Sequence, residues 1–226
     1  QYSGGLGYGR LGRSFMGGRG IMSTYSSLTQ DIQDWTENDD SEFTDEINNI
    51  IAFAEDRIFS DAPLHPAFKA DNTGNLVAGT ATITVPSGIR SIRGITITVS
   101  SQEKHLEQRT DLYLEDYWPD STVRDIPKFY SRTGETLIKF APTPIAAFAY
   151  NVRAYELPTG LSSGNVSTWL STNKPQLLLN ACMIEAMKFL KNEAGRKSWG
   201  EEYAGSLKQF LAEMSRNLGN ENTVGV

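Results

Sequence analysis

Residues 43–59 read FTDEINNIIAFAEDRIF, and the reading of this stretch decides the fold. Phe43, Ile47, Ile50, Ala54 and Ile58 recur at three- and four-residue steps, and Ile51 and Phe53 widen the stripe. That is the period of a helix with one dry face. Asp40 or Ser41 is placed to cap it, with Glu42, Asp45 and Glu46 in a first turn where the helix dipole favours negative charge. Glu46, Glu55 and Asp56 lie off the stripe, so they read as its solvated side or as members of structural ion pairs. Paired hydrolytic acids need burial or a fixed gap to set their pKa values, and nothing in this spacing imposes either.

Upstream, Tyr25, Leu28, Ile32 and Trp35 mark a shorter amphipathic helix of about three turns, opened by Ser23 or Thr24 and broken by TENDDS. Pro63 and Pro66 close this region. From Leu76 to Leu157 the period drops to two: TATITV and ITITV alternate Ile and Val against Thr, and DLYLEDYW, TLIKF and FAYNVRAYEL follow. Thr-rich alternation reads as about five antiparallel strands with one solvated face, a meander or small sandwich. Residues 158–173 read as a polar loop. Pro175 then opens QLLLNACMIEAMKFLKN, which is apolar almost all round and should be the most buried element. Gly195 is placed to end it. Trp199, Tyr203, Leu207, Phe210, Leu211, Met214 and Leu218 mark a last helix.

The expected fold class is α+β, with terminal helices forming one bundle and an antiparallel β meander or sandwich inserted between them. The expected segments are a Gly-rich basic arm (1–22), N-terminal bundle helices (23–62), a β region (70–158), C-terminal bundle helices (174–218) and a tail (219–226).

The composition, 39% hydrophobic and 21% charged over 226 residues, is globular. No apolar run approaches the roughly 20 residues of a membrane span, and no apolar core with a cleavage pattern marks a secretory signal. The single Cys182 excludes an intrachain disulfide framework and fits synthesis in a reducing compartment. The net charge is −6; the first 20 residues contribute +3 through Arg10, Arg13 and Arg19, so the remainder carries −9. An acidic body argues against a surface that grips nucleic acid. The arm holds eight glycines among its first 20 residues. With Tyr2, Leu6, Tyr8, Leu11, Phe15 and Met16 as its few anchors, it lacks the means to order itself. A neighbouring subunit or a partner protein is expected to pin it.

Strings that look chemical fail on context. GYGRLG (7–12) matches G-x-G-x-x-G but has no strand before it, as a dinucleotide site requires. GLSSG (160–164) matches a nucleophile elbow around Ser162, yet both histidines, His65 and His105, precede it in a chain order the elbow does not use. His105 reads as a surface residue and Cys182 as a small core residue. No catalytic residue, cofactor or metal site is expected.

Taken in order, STYSSLTQDIQDWTENDD followed by FTDEINNIIAFAEDRIF resembles the opening of the tailed-phage head-to-tail adaptor (connector) family. The resembling positions are Tyr25, Leu28, Ile32, Trp35, Thr36, Glu37 and Asn38, then Phe43, Ile50, Ala54, Glu55, Arg57 and Ile58. LLLNACMIEAMKFLKNE with a Trp- and Tyr-bearing helix is similar to the family's closing pair. The likeness covers roughly residues 23–60 and 155–218. It implies a structural virion protein of the neck, assembled in the host cytoplasm, without catalysis. It would form a ring, typically of twelve copies, joining the portal protein to the tail nozzle or tube. DNA would pass through its lumen unbound in any sequence-specific way, and no membrane is involved. The arm residues Tyr2, Leu6, Tyr8, Arg10, Leu11, Arg13, Phe15 and Arg19, and Leu218, Val224 and Val226 at the other end, are the expected partner contacts. The rival readings are a phage tail-tube or tail-completion protein, a hydrolase using Glu46, Glu55 or Ser162, and a cellular β-sandwich binding module.

Overall fold

The computed structural model describes residues 23–223, with side chains through 215. The first helix, α1 (Tyr25–Thr36), starts where Thr24 accepts the Ser27 N–H and Ser27 returns a bond to the Thr24 backbone. It stops at Glu37, whose φ of 50° puts it in the left-handed region. α2 (Ser41–Asp61) follows with Asp40 at its cap position, and buries Phe43, Ile47, Ile50, Ile51, Ala54 and Ile58 as the spacing predicts. Phe53 departs from that stripe and is exposed, while Glu55 and Phe59 join it.

A 3-10 turn at Pro66–Phe68 leads into the β region: β1 (Lys69–Asn75), β2 (Thr82–Thr84), β3 (Ile89–Val99), β4 (Gln102–Gln108), a helix α3 (Asp111–Tyr117), β5 (Arg124–Asp125), β6 (Phe129–Arg132), β7 (Leu137–Ala141), β8 (Thr143–Pro144) and β9 (Ala149–Glu156). Seven strands form one sheet in the order β1-β9-β3-β4-β6-β7-β2, and β5 pairs with β8 apart from it. The fold is α+β as expected, but the sheet is mixed. β4 and β6 run parallel: the chain loops out through α3 and comes back beside the last residues of β4, so that Phe129 stands opposite Glu107 and Tyr130 opposite Gln108. DLYLEDYW is therefore helix and not strand. Thr110 caps it by accepting the Tyr113 N–H, and its buried residue, Leu114, faces inward. β3 and β4 meet in a two-residue hairpin, Ser100–Ser101, with both φ values positive at 49° and 65°.

The chain returns to helix with a short α4 (Trp169–Asn173), within the stretch expected to be loop, capped by Thr168. α5 (Pro175–Phe189) buries ten of its 15 residues. α6 (Glu193–Thr223) begins before Gly195, so that glycine sits in its first turn. The break falls instead at Lys191, whose φ is 54°. α6 also runs on through residues 219–223, which were expected to be tail. Two buried clusters result. One gathers α1, α2, α5 and α6 with Phe68, Tyr155 and Leu161; the other lies on the sheet around Ile95, Ile97, Tyr130, Ile138, Phe140 and Val152.

A two-residue hairpin with both residues at positive φ favours Asn-Gly, and serine held there carries a steric cost of roughly 1 kcal/mol. Replacing Ser100–Ser101 with Asn-Gly should raise stability by about that amount, which is about 2–4 °C in Tm for a chain of this size. Differential scanning calorimetry checks it; an unchanged or lower Tm would contradict the hairpin geometry.

Candidate functional site

The positions that carry the resemblance converge on the bundle. Leu28, Ile32, Phe43, Ile50, Ala54 and Ile58 are buried in its core. Tyr25, at the start of α1, donates its hydroxyl to Asn48 Oδ1 at 2.6 Å and so ties α1 to α2. Trp35 leaves the dry face: it is 56% exposed and packs edge-on against Trp199 of α6 at 5.5 Å between ring centroids.

Glu55 and Arg57 do more than the spacing suggests. Glu55 is 6% exposed, which corrects its expected place on the solvated side of α2. Its Oε2 accepts the Leu161 N–H at 2.9 Å and lies 2.8 Å from where a Cβ on Gly160 would stand. A side chain at 160 would have to push the Glu55 carboxylate aside. Burial pushes the Glu55 carboxyl above the usual carboxylate range, against hydrogen bonds from Leu161 and Thr168 that favour its ionised form. Two residues on, the Arg57 guanidinium donates through Nε and Nη2 to Oε1 of the buried Glu185 on α5. Lys188 Nζ stands 3.5 Å from the other Glu185 oxygen. The Ala54–Ile58 string thus fastens α2 to the loop on one side and to α5 on the other. Asp56 stays exposed, and Glu46 accepts from Asn49 at 2.9 Å on the outer face.

The candidate chemical groups are occupied structurally. Ser162 Oγ accepts the Asn165 N–H at 3.1 Å inside a turn. His65 is buried, stacked on Phe210 at 3.8 Å, and its Nδ1 accepts the Ala67 N–H. Burial lowers its pKa to about 4, so the ring is neutral at pH 7. His105 is exposed on β4. Cys182 is buried, and desolvation first, then Glu55 and Glu185, push its thiol far up. A thiol in that setting is inert.

Three surface features stand out. On α3, Tyr113 and Tyr117 stack at 5.7 Å, both meet Phe129 edge-on, and Arg109 lies 5.4 Å over the Tyr113 ring. Leu112 beside them is 74% exposed. Around the α1–α2 turn stand Asp31, Asp34, Glu37, Asp39, Asp40, Glu42, Asp45 and Glu46, with no Lys or Arg between Arg19 and Arg57. Among the described residues none of these eight forms an ion pair. Over α5, between α2 and α6, runs a trench of about 520 Å³. The α3 face is hidden in the sequence because its residues read as strand; the acidic run is legible as a long stretch without cations. The arm residues Tyr2, Leu6, Tyr8, Arg10, Leu11, Arg13, Phe15 and Arg19 lie outside the described residues, as do Val224 and Val226 and the Gly7–Gly12 string. Leu218 lies on α6, with its side chain outside them.

A family model described as SU10 adaptor protein matches residues 23–224, and so spans the β region as well as both helix pairs. No curated protein matches the chain.

The Glu55 contact has two separable consequences. Glu55→Ala strands the Leu161 N–H in the interior and should cost about 1–3 kcal/mol. Glu55→Gln keeps an acceptor but removes the charge. Because the folded carboxyl titrates above its unfolded value, the native state binds the extra proton, and stability falls as pH rises from about 4.5 through the raised pKa. The buried, neutral His65 adds a slope of the opposite sign below about pH 6.5 in both chains, so the measurement is the difference: in urea unfolding across pH 4–8 the stability of the parent relative to Glu55→Gln should fall as pH rises. An identical slope in both would exclude a buried, titrating Glu55.

Proposed function

The chain belongs to the SU10 adaptor protein family, a phage head-to-tail adaptor family, and from that premise we propose that it closes into a ring beneath the portal and joins it to the tail nozzle or tube. An adaptor of this family works at the virion neck. The match over residues 23–224 is the observation that carries the reading. The interior supports it: the groups a hydrolase would recruit, Ser162, His65, Glu55 and Cys182, are each engaged in holding the subunit together. We take the role to be structural, without turnover.

In this reading DNA passes through the ring without base-specific contact. Twelve copies at −6 each carry about −72, and a lumen sharing that sign would repel the phosphates and let DNA slide. A closed ring uses one heterologous contact repeatedly. The arm (residues 1–22), with Tyr2, Leu6, Tyr8, Arg10, Leu11, Arg13, Phe15 and Arg19, and the end at Leu218, Val224 and Val226 are proposed to lie against neighbours or the portal. The bundle segments 23–62 and 174–218 form the subunit body, and the β region 70–158 faces the tail-side partner, with the α3 aromatic face as its foremost contact.

Native mass spectrometry of the chain with its portal protein tests this. The expected result is a discrete complex carrying a ring of about twelve copies, the stoichiometry a closed cyclic contact allows. Deletion of residues 1–20 should weaken that complex while leaving the melting of the free chain unchanged. Hexamers or stacked tubes in negative-stain images would favour a tail-tube role, and a chain that stays monomeric with portal present would overturn the ring.

A further inference from the structure

The trench over α5 has a floor and walls of unlike character. Ile184 of α5 and Gly200 of α6 form its base, Tyr203 closes one end through a 2.7 Å hydroxyl bond to Asp61 of α2, and Arg57, Arg196 and Lys197 line its walls. Nothing lies within 4 Å of where a Cβ on Gly200 would stand, so the base is open. The cations are only partly answered within the chain. Arg57 pairs with Glu185 and Arg196 with Glu193, Lys188 shares Glu185, and Lys197 has no acidic partner among the described residues. Glu193 lines the trench beside Arg196 and Asp61 stands at the Tyr203 end, so Lys197 is the lining cation left without an acid among the described residues.

The turn from α1 to α2 is the reverse. Glu37, Asp39, Asp40 and Glu42 are all exposed around a left-handed Glu37, and the half-exposed Trp35 stands beside them. This turn belongs to α1, which packs on α5 and meets α6 through Trp35 and Trp199, whereas the trench opens between α2 and α6. The two patches are different surfaces of one chain, opposite in sign, one projecting and one recessed.

We propose that the acidic α1–α2 turn of one copy seats in the α2–α6 trench of the next. The inference rests on the ring reading and names its contact. A ring needs two unlike patches that match each other on every copy, and this chain carries such a pair. Charge complementarity of this kind sets register and encounter rate and suppresses wrong partners. Lys197 and Arg196 meet Asp39 and Asp40 at the rim, and the Gly200 opening admits the backbone of the turn.

Two measurements on the full chain test it. The native Cys182 is buried, so introduced surface thiols can be joined selectively by a short bismaleimide. Mixing Asp39→Cys chains with Lys197→Cys chains should give a covalent heterodimer that falls off at high salt, since exposed ionic contacts are screened. Neither variant alone should cross-link, and Asp39→Cys mixed with Ser101→Cys, on the far hairpin, should stay at background. Separately, Gly200→Glu places an acid in the trench while improving helix propensity, so it should weaken self-association by about tenfold or more without lowering Tm; Gly200→Ala should leave association intact. Ring formation that persists in Gly200→Glu, with no Asp39–Lys197 cross-link, would overturn the docking and leave the ring standing. Cross-linking without rings would do the opposite, and the absence of both would remove the two together.

Discussion

A helix that is apolar on every side can exist in water only when it is surrounded, and α5 imposes that condition on the rest of the chain. Leu177, Leu178, Met183, Ile184 and Met187 are all buried on it. Each contributes about 1.5–3 kcal/mol on transfer from water, so together they supply roughly 10 kcal/mol, the scale of a whole domain's net stability. α1, α2, α4 and α6 are the cover. Each lays an apolar face on α5, so the amphipathic stripes of α1, α2 and α6 are complements of the one helix that they cover.

Covering α5 buries two carboxylates, Glu55 and Glu185, at the seams where α2 meets its neighbours. An isolated carboxylate in that interior would cost several kcal/mol; the Arg57 fork offsets Glu185, and the Leu161 N–H only partly offsets Glu55. Their worth lies in placement more than stability. A greasy seam would let α2 slide along α5, whereas Glu55 accepts one amide in one loop and Arg57 reaches one acid on one turn. These contacts fix where the sheet's last strand hands the chain back to the bundle.

Much of this architecture is legible in the order of the residues. α1, α2, α5 and the core of α6 follow from three- and four-residue apolar steps, and Thr24 is the cap its position suggests. What stays hidden is set by distant partners. Glu55 looks solvated on a helical wheel drawn for one neighbour; it is buried because a loop more than 100 residues away closes over it, as the Leu161 bond records. Leu112 and Leu114 alternate like a strand, and seven residues are too few for a helical period to show; only Thr110 with Asp111 signals a cap. Gly195 looks like a helix stop, but Lys191 in the left-handed region already serves, so the glycine is free to sit in the next helix. The parallel β4–β6 pair depends wholly on α3 and cannot be inferred without it.

The distribution of charge carries the argument from subunit to assembly. A monomer with no partner gains by interspersing its signs, because like charges crowded on one helix repel. Here eight acids occupy residues 31–46 without one cation among them. Burial first, and the nearby Asp34 second, lift the Asp31 carboxyl above its ordinary range. On the α5–α6 side the same chain gathers Lys188, Lys191, Arg196 and Lys197 within ten residues. Packing α5 does not require that separation, since the outward faces of the cover helices are free to carry either sign. Segregation of this kind is unfavourable in the isolated subunit and becomes favourable when surfaces of opposite sign meet across chains, which is what the proposed ring contact would supply.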